Sequence, residues 1–337
     1  MVTLCDQRWR VKFDYNIAMP KILLVKTSSL GDVIHNLPVV SDIRMHFPEA
    51  EIDWVAEESF AVIPLLHPGV KNVLPVALRR WRKTPFARRT RDEIRAFARR
   101  LRESAYDIVL DSQGLLKSAL IASLARGSRA GLDRRSAREP LASLFYDYGV
   151  AVEKNLHAVV RNRLLAGQVL GYAPDSPADY GIAAPQAVLP WLPGGAHAVL
   201  LHATSRDEKL WTEERWIALG QRFHERGMHC VLPWGSDAEK ARSERLATRI
   251  ESATVPPRLD LGEAAALLAR ARVAIGVDTG LAHLATALNV PTVALYCATE
   301  PGLTGVYGGA NAVNLGGIGN PPTVAAVLAA VERVLAE

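Results

Sequence analysis

The sequence has few cysteines. Its 337 residues include only three, Cys5, Cys230 and Cys297, which are widely spaced and form no Cys-x-x-Cys pair. An odd number of scattered cysteines indicates neither a disulfide framework nor a zinc site. A chain of this size without disulfides is typical of a reducing compartment, and we therefore expect a cytoplasmic protein.

Long hydrophobic runs are also absent. The most apolar stretch, residues 273–296, is interrupted by polar residues and by Pro291, which makes it a poor membrane span. Residues 1–18 lack the apolar core of a signal peptide and show no clear helix or strand period. Because the fold pattern begins after Met19 and Pro20, we expect residues 1–18 to be a non-core extension and the native protein to start near Met19.

Apolar residues, by contrast, are abundant. Hydrophobic residues make up 49% of the chain, and 337 residues are enough for two domains with buried cores. The formal net charge is only +5, from 40 Lys and Arg against 35 Asp and Glu. The placement of these charges therefore matters more than their sum.

Both halves of the chain alternate between strand and helix patterns. In the first half, apolar runs predict strands at 21–26, 51–56 and 106–111, and helical spacing predicts helices at 33–47, with a bend at Pro38, and at 115–125. In the second half, the same patterns predict strands at 198–202, 229–233, 273–277 and 292–296 and helices at 213–226, 263–272 and 281–288.

This alternation predicts an α/β fold made of two Rossmann-like lobes, each a doubly wound parallel sheet, facing a cleft. We place residues 19–172 in the first lobe and residues 197–337 in the second. Residues 173–196, rich in proline, glycine and alanine, have the composition of an interdomain linker.

The most specific local motif is residues 276–283, at the end of a predicted strand that leads into a helix. Thr279 and Gly280 fall in the first helical turn, where free N–H groups and the helix dipole favour a diphosphate. Asp278, at the strand tip, is suited to accept hydrogen bonds from sugar hydroxyls. An ordinary helix cap followed by a core-facing His283 fits the same spacing equally well.

Two further strand tips carry candidate groups. Thr204, Ser205 and Lys209 follow the strand at 198–202, and two hydroxyls with a cation are the groups that hold a phosphate and neutralise leaving-group charge. A solvated loop is the alternative. Asp32 follows the first strand and is positioned to accept the proton of an attacking hydroxyl, or else simply to cap the next helix.

A basic run occupies residues 79–102, with eleven Lys and Arg side chains and the aromatic residues Trp81 and Phe86 between them. Such a run attracts polyanions, either nucleic acid or an anionic lipid surface. Residues 92–102 have the pattern of a solvated amphipathic helix, so Arg79–Lys83 is the better site candidate. No nucleic-acid-binding module accompanies the run.

Taken together, the motifs resemble those of the lipopolysaccharide heptosyltransferases of glycosyltransferase family 9. The matching stretches run in order along nearly the whole chain: 25–35, 75–83, 137–145, 202–209, 232–235 and 277–283. The stretches Arg79–Lys83 and 137–145 are similar to those of heptosyltransferase I rather than heptosyltransferase II.

The resemblance implies an inverting enzyme of GT-B fold that transfers L-glycero-D-manno-heptose from ADP-heptose to Kdo of Kdo2-lipid A. It implies no cofactor or metal, and the sequence contains no Asp-x-Asp cluster of the metal-dependent alternative fold. It further implies peripheral contact with the anionic inner membrane on its cytoplasmic face, and no nucleic-acid partner.

The resemblance also assigns roles to single residues. Asp32 is implied as the general base for the acceptor hydroxyl and Lys209 as the cation that stabilises the departing diphosphate. The implied donor-binding residues are Thr204, Ser205, Lys209, Glu239, Leu259, Asp278, Thr279, Gly280 and His283. The implied acceptor-binding cations are Arg79, Lys83 and Arg138. The chain departs from the family pattern at Ser205, where threonine is frequent, and at Leu259, where methionine is frequent.

Two other functions remain open from the residues alone. A GT-B nucleotide-sugar epimerase would share the diphosphate site but need no acceptor cations. A non-catalytic binder of anionic lipid or nucleic acid would use the basic run at 79–102. Acceptor-dependent release of ADP separates the transferase from both.

Overall fold

The computed structural model describes residues 19–309 and 311–336, so the predicted extension 1–18 lies outside the described residues. The chain divides into two compact units, Met1–Gly181 and Ile182–Glu337. The boundary falls inside the stretch 173–196 that has linker composition.

The first unit contains a six-stranded sheet and seven helices among its described residues. The strands are β1 (Lys21–Val25), β2 (Glu51–Glu57), β3 (Val70–Val76), β4 (Ala105–Asp111), β5 (Arg126–Leu132) and β6 (Tyr148–Val150). The helices are α1 (Leu30–Ile34), α2 (Leu37–His46), α3 (Val62–Leu65), α4 (Leu78–Trp81), α5 (Arg88–Arg102), α6 (Leu116–Leu124) and α7 (Ala158–Leu170). Short 3-10 turns occupy Glu58–Phe60 and Pro140–Phe145.

The second unit repeats this arrangement with six strands and five helices in its described part. The strands are β7 (His197–Leu201), β8 (His229–Val231), β9 (Ala253–Thr254), β10 (Val273–Val277), β11 (Thr292–Tyr296) and β12 (Ala312–Gly316). The helices are α8 (Glu213–Glu225), α9 (Asp237–Ala247), α10 (Leu261–Ala269), α11 (Gly280–Ala287) and α12 (Val324–Ala336), and a 3-10 turn spans Asp207–Lys209.

The two sheets have the same topology. The first runs β3-β2-β1-β4-β5-β6 and the second, from its opposite edge, β9-β8-β7-β10-β11-β12. All neighbouring strands in both sheets are parallel. This is the doubly wound Rossmann order, and the predicted α/β fold class is confirmed. In each sheet the strand order reverses once, between β1 and β4 and between β7 and β10.

Buried strands and one face of the flanking helices form each core. In the first unit, Leu23 and Val25 of β1 pack with Trp81, Phe97 and Leu101 from α4 and α5. In the second, the strands pack against aromatic residues of α8 and against α12, all within one cluster. Long apolar runs in β1, β10 and β11 reflect burial on both sheet faces.

The predicted helix 33–47 is two helices. α1 ends at Ile34 and α2 begins at Leu37, so Pro38 lies in the first turn of α2 rather than inside a bent helix. A proline within a continuous helix would clash with the carbonyl of residue 34 and remove one hydrogen bond, whereas the first turn tolerates it. The break places α1 alone after β1, as a single short segment bearing Asp32.

No helix within the described ranges is both long and apolar enough to span a bilayer.

Candidate functional site

The predicted site residues of the second unit all follow the carboxyl ends of its strands. Thr204, Ser205 and Lys209 come after β7, and the sequence 278–283 comes after β10. β7 and β10 are the neighbours at which the strand order reverses. In open parallel sheets this switch point is where ligands bind, because the loops on its two sides diverge and leave a crevice.

A compact polar cluster joins these two loops. The Lys209 Nζ donates to the Asp278 Oδ2 at 2.6 Å, and both side chains are largely buried, with 15% and 17% of their surface exposed. The Thr204 hydroxyl donates to the Asp278 main-chain carbonyl at 2.7 Å. The Thr299 hydroxyl, from the loop after β11, donates to the Asp278 Oδ2 at 2.8 Å. Asp278 is therefore the residue around which the site is built.

The helix that follows this cluster presents its N-terminus at the same edge. Thr279 is the N-cap of α11, with extended backbone angles, and Gly280 is the first helical residue. Asp278 is not the cap, because its carboxylate is bound to Lys209 and Thr299. His283 lies one turn into the helix and is buried. The free N–H groups of the first turn and a nearby ammonium form a setting suited to a diphosphate.

The three other residues predicted to bind the donor, Ser205, Glu239 and Leu259, also follow strand ends of the second unit, but they differ in exposure and in contacts. Ser205 is exposed beside Thr204. The Glu239 Oε2 accepts from the backbone N–H groups of Gly235 and Ser236, at 2.7 and 3.1 Å, as the third residue of α9 in a capping box. Leu259 is half-buried in the loop between β9 and α10. Glu239 therefore holds the turn after β8.

In the first unit, Asp32 is the third residue of α1. Its Oδ2 accepts from the Ser29 backbone N–H at 2.7 Å and from the Ser29 hydroxyl at 2.9 Å. Ser29, not Asp32, is the N-cap residue. The carboxylate is half-buried at the carboxyl end of β1. The capping bonds orient it without withdrawing it from solvent, as a proton acceptor requires.

Gln113, after β4, ties down the loop that carries Asp32. Its Oε1 accepts from both the backbone N–H and the hydroxyl of Thr27, at 2.7 and 2.8 Å. Its Nε2 donates to the Ser28 carbonyl at 2.7 Å. These bonds cross the other switch point, between β1 and β4, just as the bond from Thr204 to Asp278 crosses the point between β7 and β10.

A buried cation and a buried acid lie beneath this loop. The Lys26 Nζ donates to the Ser112 carbonyl at 2.7 Å and to the Asn162 Oδ1 at 3.3 Å. Burial lowers the pKa of Lys26, and the charges of Asp32 and Asp111 offset part of that shift. Burial likewise raises the pKa of Asp111, against the hydrogen bond from the Tyr146 hydroxyl.

Lys117, on α6, brings a cation up to the same loop. Its Nζ donates to the Ser28 hydroxyl at 2.9 Å. Partial burial lowers the pKa of Lys117. The negative charges of Glu57 and Asp32 offset part of this shift, and the positive charge of Arg79 lowers the pKa further. Lys117, Asp32 and Arg79 therefore form one electrostatic neighbourhood.

The predicted acceptor cations are placed unequally around this neighbourhood. Arg79 is exposed, its backbone N–H donates to the Glu57 Oε1 at 3.1 Å, and its guanidinium lies 4.8 Å from the Phe60 ring centre. Arg138 is exposed after β5, and its charge contributes to lowering the pKa of Lys26. Lys83 is exposed two residues beyond α4, and no contact among the described residues connects it to Asp32.

Sequence reasoning missed Lys26, Gln113, Lys117 and Thr299. A usable signal existed for Gln113, which directly follows the predicted strand 106–111, and for Lys117, which lies in the first turn of the helix predicted after that strand. Thr299 lies in a loop without a motif. Its role depends on the approach of the β11 loop to Asp278, which only the fold establishes.

Among residues 19–309 and 311–336, no group of three or more His, Cys, Asp or Glu side chains is arranged to hold a metal ion.

Comparisons with known proteins agree with the sheet topology and the motifs. The family described as "Glycosyltransferase family 9 (heptosyltransferase)" matches residues 94–327. The chain is 50% identical over 290 residues to lipopolysaccharide heptosyltransferase 1 of Pseudomonas aeruginosa, which covers 86% of this chain and 81% of that protein.

Solved structures show the same similarity over both units. The structure of E. coli heptosyltransferase WaaC with ADP has a TM-score of 0.87 and 42% identity, covering 93% of this chain and 99% of that one. The structure of the same enzyme with ADP-2-deoxy-2-fluoro heptose has a TM-score of 0.84 and 41% identity at the same coverage.

Proposed function

The chain belongs to glycosyltransferase family 9, the heptosyltransferases, and from this premise we propose that it transfers L-glycero-D-manno-heptose from ADP-heptose to Kdo of Kdo2-lipid A. The observation that carries the proposal is the cluster of Lys209, Asp278 and Thr204 at the N-terminus of α11, in a chain 41% identical to an enzyme solved with an ADP-heptose analogue.

In this proposal the second unit, from about residue 197, binds the donor. The diphosphate of ADP-heptose lies against Lys209, the hydroxyls of Thr204 and Ser205, and the first-turn N–H groups at Thr279 and Gly280. Asp278, held by Lys209 and Thr299, accepts from donor hydroxyls with the lone pairs that remain. His283, Glu239 and Leu259 complete the donor site.

The first unit binds the acceptor. Kdo2-lipid A carries carboxylates and phosphates, so Arg79, Lys83 and Arg138 are suited to bind it. Asp32 takes the proton of the attacking Kdo hydroxyl. The hydroxyl oxygen forms a bond to the anomeric carbon from the face opposite the leaving group, the bond to the diphosphate breaks, and ADP departs with its electron pair. Lys209 and the α11 dipole stabilise the charge that develops on ADP.

The proposal includes a location. An acceptor anchored in lipid requires the enzyme to work at the cytoplasmic face of the inner membrane. The net positive charge of the chain, +5, is compatible with peripheral contact there.

The test measures ADP release from ADP-heptose in the presence and absence of Kdo2-lipid A. We expect release that depends on the acceptor and that gives a heptosylated product by mass spectrometry. Conversion of a UDP-sugar without acceptor would support an epimerase instead. Binding of polyanions with no turnover of any nucleotide sugar would support a non-catalytic role.

A variant of Asp32 tests the assignment of the base. In Asp32→Ala we expect kcat to fall about 10²–10⁴-fold, the usual contribution of a general base, while ADP-heptose binding stays nearly intact. Asp32→Asn is the matched control for folding, because its amide oxygen still accepts from Ser29 but cannot take a proton. Weakened donor binding with normal kcat in either variant would contradict the assignment.

A further inference from the structure

One outer layer of the first unit combines unpaired cations with exposed apolar side chains. Helices α5 and α6 cover the same side of the sheet, since Phe97 and Leu101 of α5 belong to one core cluster with Ile121 and Ala122 of α6. The 3-10 turn 140–145 packs against α6. We call the solvent side of α5, α6 and this turn, together with Phe86 just before α5, the α5–α6 face.

Arginines dominate this face. On α5, Thr90, Phe97 and Leu101 point inward. The opposite side of the helix carries an exposed row with spacings of three and four residues: Arg88, Arg91, Arg95, Arg99 and Arg102. Helix α5 alone, residues 88–102, contains seven arginines and two carboxylates, a net charge of +5, which equals the net charge of the whole chain. The rest of the chain therefore has no net charge.

Several of these cations have no carboxylate partner. Arg88 and Arg95 share Asp92, and Arg89 binds Glu93. Arg91, Arg99 and Arg100 form no ion pair with any residue that the structure describes. Their attraction for an external anion is thus not already satisfied within the protein.

The same face exposes large apolar side chains. Phe86 is 91% exposed, Leu144 76%, Leu141 56% and Leu120 51%. Single exposed apolar residues are ordinary on protein surfaces, but neighbouring ones within a cationic layer mark an interaction surface. Leucine does not stack on nucleic-acid bases, whereas leucine and phenylalanine beside arginine are the composition of surfaces that insert into a lipid interface.

The α5–α6 face also adjoins the groups assigned to the acceptor. Arg138 and Glu139 lead directly into the turn that carries Leu141 and Leu144, and the Glu139 Oε2 accepts from the Leu116 N–H at 2.6 Å, at the start of α6. Lys117, which binds the Ser28 hydroxyl near Asp32, is the next residue of that helix. A bilayer on this face would therefore lie next to the site of a lipid-linked acceptor.

We propose that the α5–α6 face is a membrane-docking surface that binds the anionic headgroups of a bilayer through the α5 arginines and inserts Phe86, Leu141 and Leu144 into its interface. Its link to catalysis rests on the proposed lipid-linked acceptor, but the docking itself does not.

Vesicle co-sedimentation of the full chain, without donor or acceptor, tests the docking. The probes are vesicles of phosphatidylglycerol and phosphatidylcholine in equal parts, and vesicles of phosphatidylcholine alone. We expect binding only to the anionic vesicles, weakened by salt. Arg91→Gln combined with Arg99→Gln should weaken that binding about thirtyfold, from the usual contribution of two arginines near an anionic surface.

Matched variants in the second unit serve as controls. Arg249→Gln combined with Arg333→Gln removes two exposed arginines that form no ion pair among the described residues. We expect it to change vesicle binding less than threefold. Leu141→Ser combined with Leu144→Ser should also weaken vesicle binding at least tenfold, against little effect of Val188→Ser, whose side chain is 89% exposed. Turnover with an acceptor stripped of its acyl chains should be unchanged in the Arg91 and Arg99 variant.

Four results would overturn the proposal. One is binding to anionic vesicles that the Arg91 and Arg99 variant leaves intact, and another is an equal loss of binding in the control arginine variant. The third is binding to homopolymer RNA that is tighter than binding to anionic vesicles and that the Leu141 and Leu144 variant does not weaken. That result would identify the face as a nucleic-acid surface. The fourth is a chain that transfers heptose but does not bind anionic vesicles, which refutes the docking surface and not the reaction. A chain that binds vesicles but does not transfer heptose refutes only the proposed reaction.

Discussion

Among single residues, Asp278 joins several interactions at the edge of the second unit that we propose binds the donor. Its carboxylate binds Lys209 and Thr299, and its carbonyl accepts from Thr204. A lysine that a largely buried carboxylate holds in one position does not need to move when a diphosphate binds, or when negative charge develops on that diphosphate. In the proposed reaction, the bond to Asp278 therefore preorganises Lys209 for the departing ADP.

Replacing Lys209 tests this view. We expect Lys209→Ala to lower kcat about 10²–10³-fold, the usual effect of losing one group that stabilises developing charge. Steady-state kinetics of acceptor-dependent ADP release provide the measurement. Thr299→Val, which removes a neighbouring bond to Asp278 but no charge, is the matched control and should cost less than tenfold. Turnover of Lys209→Ala within threefold of the parent would refute the role.

Substitution of Arg79 and Lys83, again at the level of single residues, tests whether these cations bind the acceptor. The double variant Arg79→Ala with Lys83→Ala should raise the KM for Kdo2-lipid A selectively, because it removes two cations that we propose bind an anionic acceptor. The KM for ADP-heptose should stay the same. Lys154→Ala, another exposed lysine of the first unit, serves as the control. A rise confined to the donor KM would show that the patch is misassigned.

Between elements, a buried ion pair fastens helix α7 to helix α2. The Arg163 Nε and Nη2 donate to the Asp42 carboxylate at 2.7 and 2.8 Å, with 7% and 3% of the two side chains exposed. α2 directly follows the α1 segment that holds Asp32. This pair therefore supports the region of the first unit that carries the proposed base.

Breaking this pair should destabilise the first unit. We expect Arg163→Ala to lower its free energy of unfolding by about 3–5 kcal/mol, because Asp42 is left buried without a partner. Hydrogen exchange read by mass spectrometry reports the two units separately. Arg129→Ala breaks a more exposed pair with Asp147 and should cost at most about 1 kcal/mol. Equal losses in both variants would contradict this account.

Some elements were predictable from the sequence and others were not. The strands β10 and β11 have the predicted bounds, 273–277 and 292–296, because a strand buried on both faces is a continuous apolar run. β5, with the sequence RGSRAGL, and the two-residue β9 carry no such run. They are strands because a neighbouring strand supplies hydrogen-bond partners, which is information outside their own residues.

On the scale of the whole molecule, the two units differ in their buried histidines. Burial lowers the pKa of His67 in the first unit and of His202 in the second to about 4. Burial also lowers the pKa of His197 and His229, both in the second unit. The native protein therefore keeps these side chains neutral at a pH at which an unfolded chain would protonate them.

This difference predicts how stability depends on pH. Between the unfolded pKa of about 6.5 and the native value, the unfolded chain binds more protons, so the free energy of unfolding falls as pH falls. From pH 7 to pH 5 we expect a loss of about 2 kcal/mol for His67 and for His202 each, and a larger total loss in the second unit. Hydrogen exchange at pH 7 and pH 5, corrected for the difference in intrinsic exchange rate, measures the free energy of unfolding of each unit at the two pH values.

His202→Gln is the control for this dependence, because its amide can still bind the Ser243 hydroxyl that His202 contacts at 2.8 Å. The variant should lose about 2 kcal/mol less than the parent over the same pH range. A second unit whose stability is the same at pH 5 as at pH 7 would show that its buried histidines do not control acid stability.

The sequence by itself determined the α/β class, the strand tips that carry Asp32 and Asp278, and the family resemblance, because local periodicity and motif order reside in neighbouring residues. Only the tertiary structure decided which tips meet. Two sets of hydrogen bonds cross the switch points of the sheets: the bond from Thr204 to Asp278, and the bonds between Gln113 and the residues Thr27 and Ser28. Each of them joins residues that are 74 to 86 positions apart in the sequence. The α5–α6 face arises in the same way, because its helices share a layer only once β1 and β4 pair at the centre of the sheet.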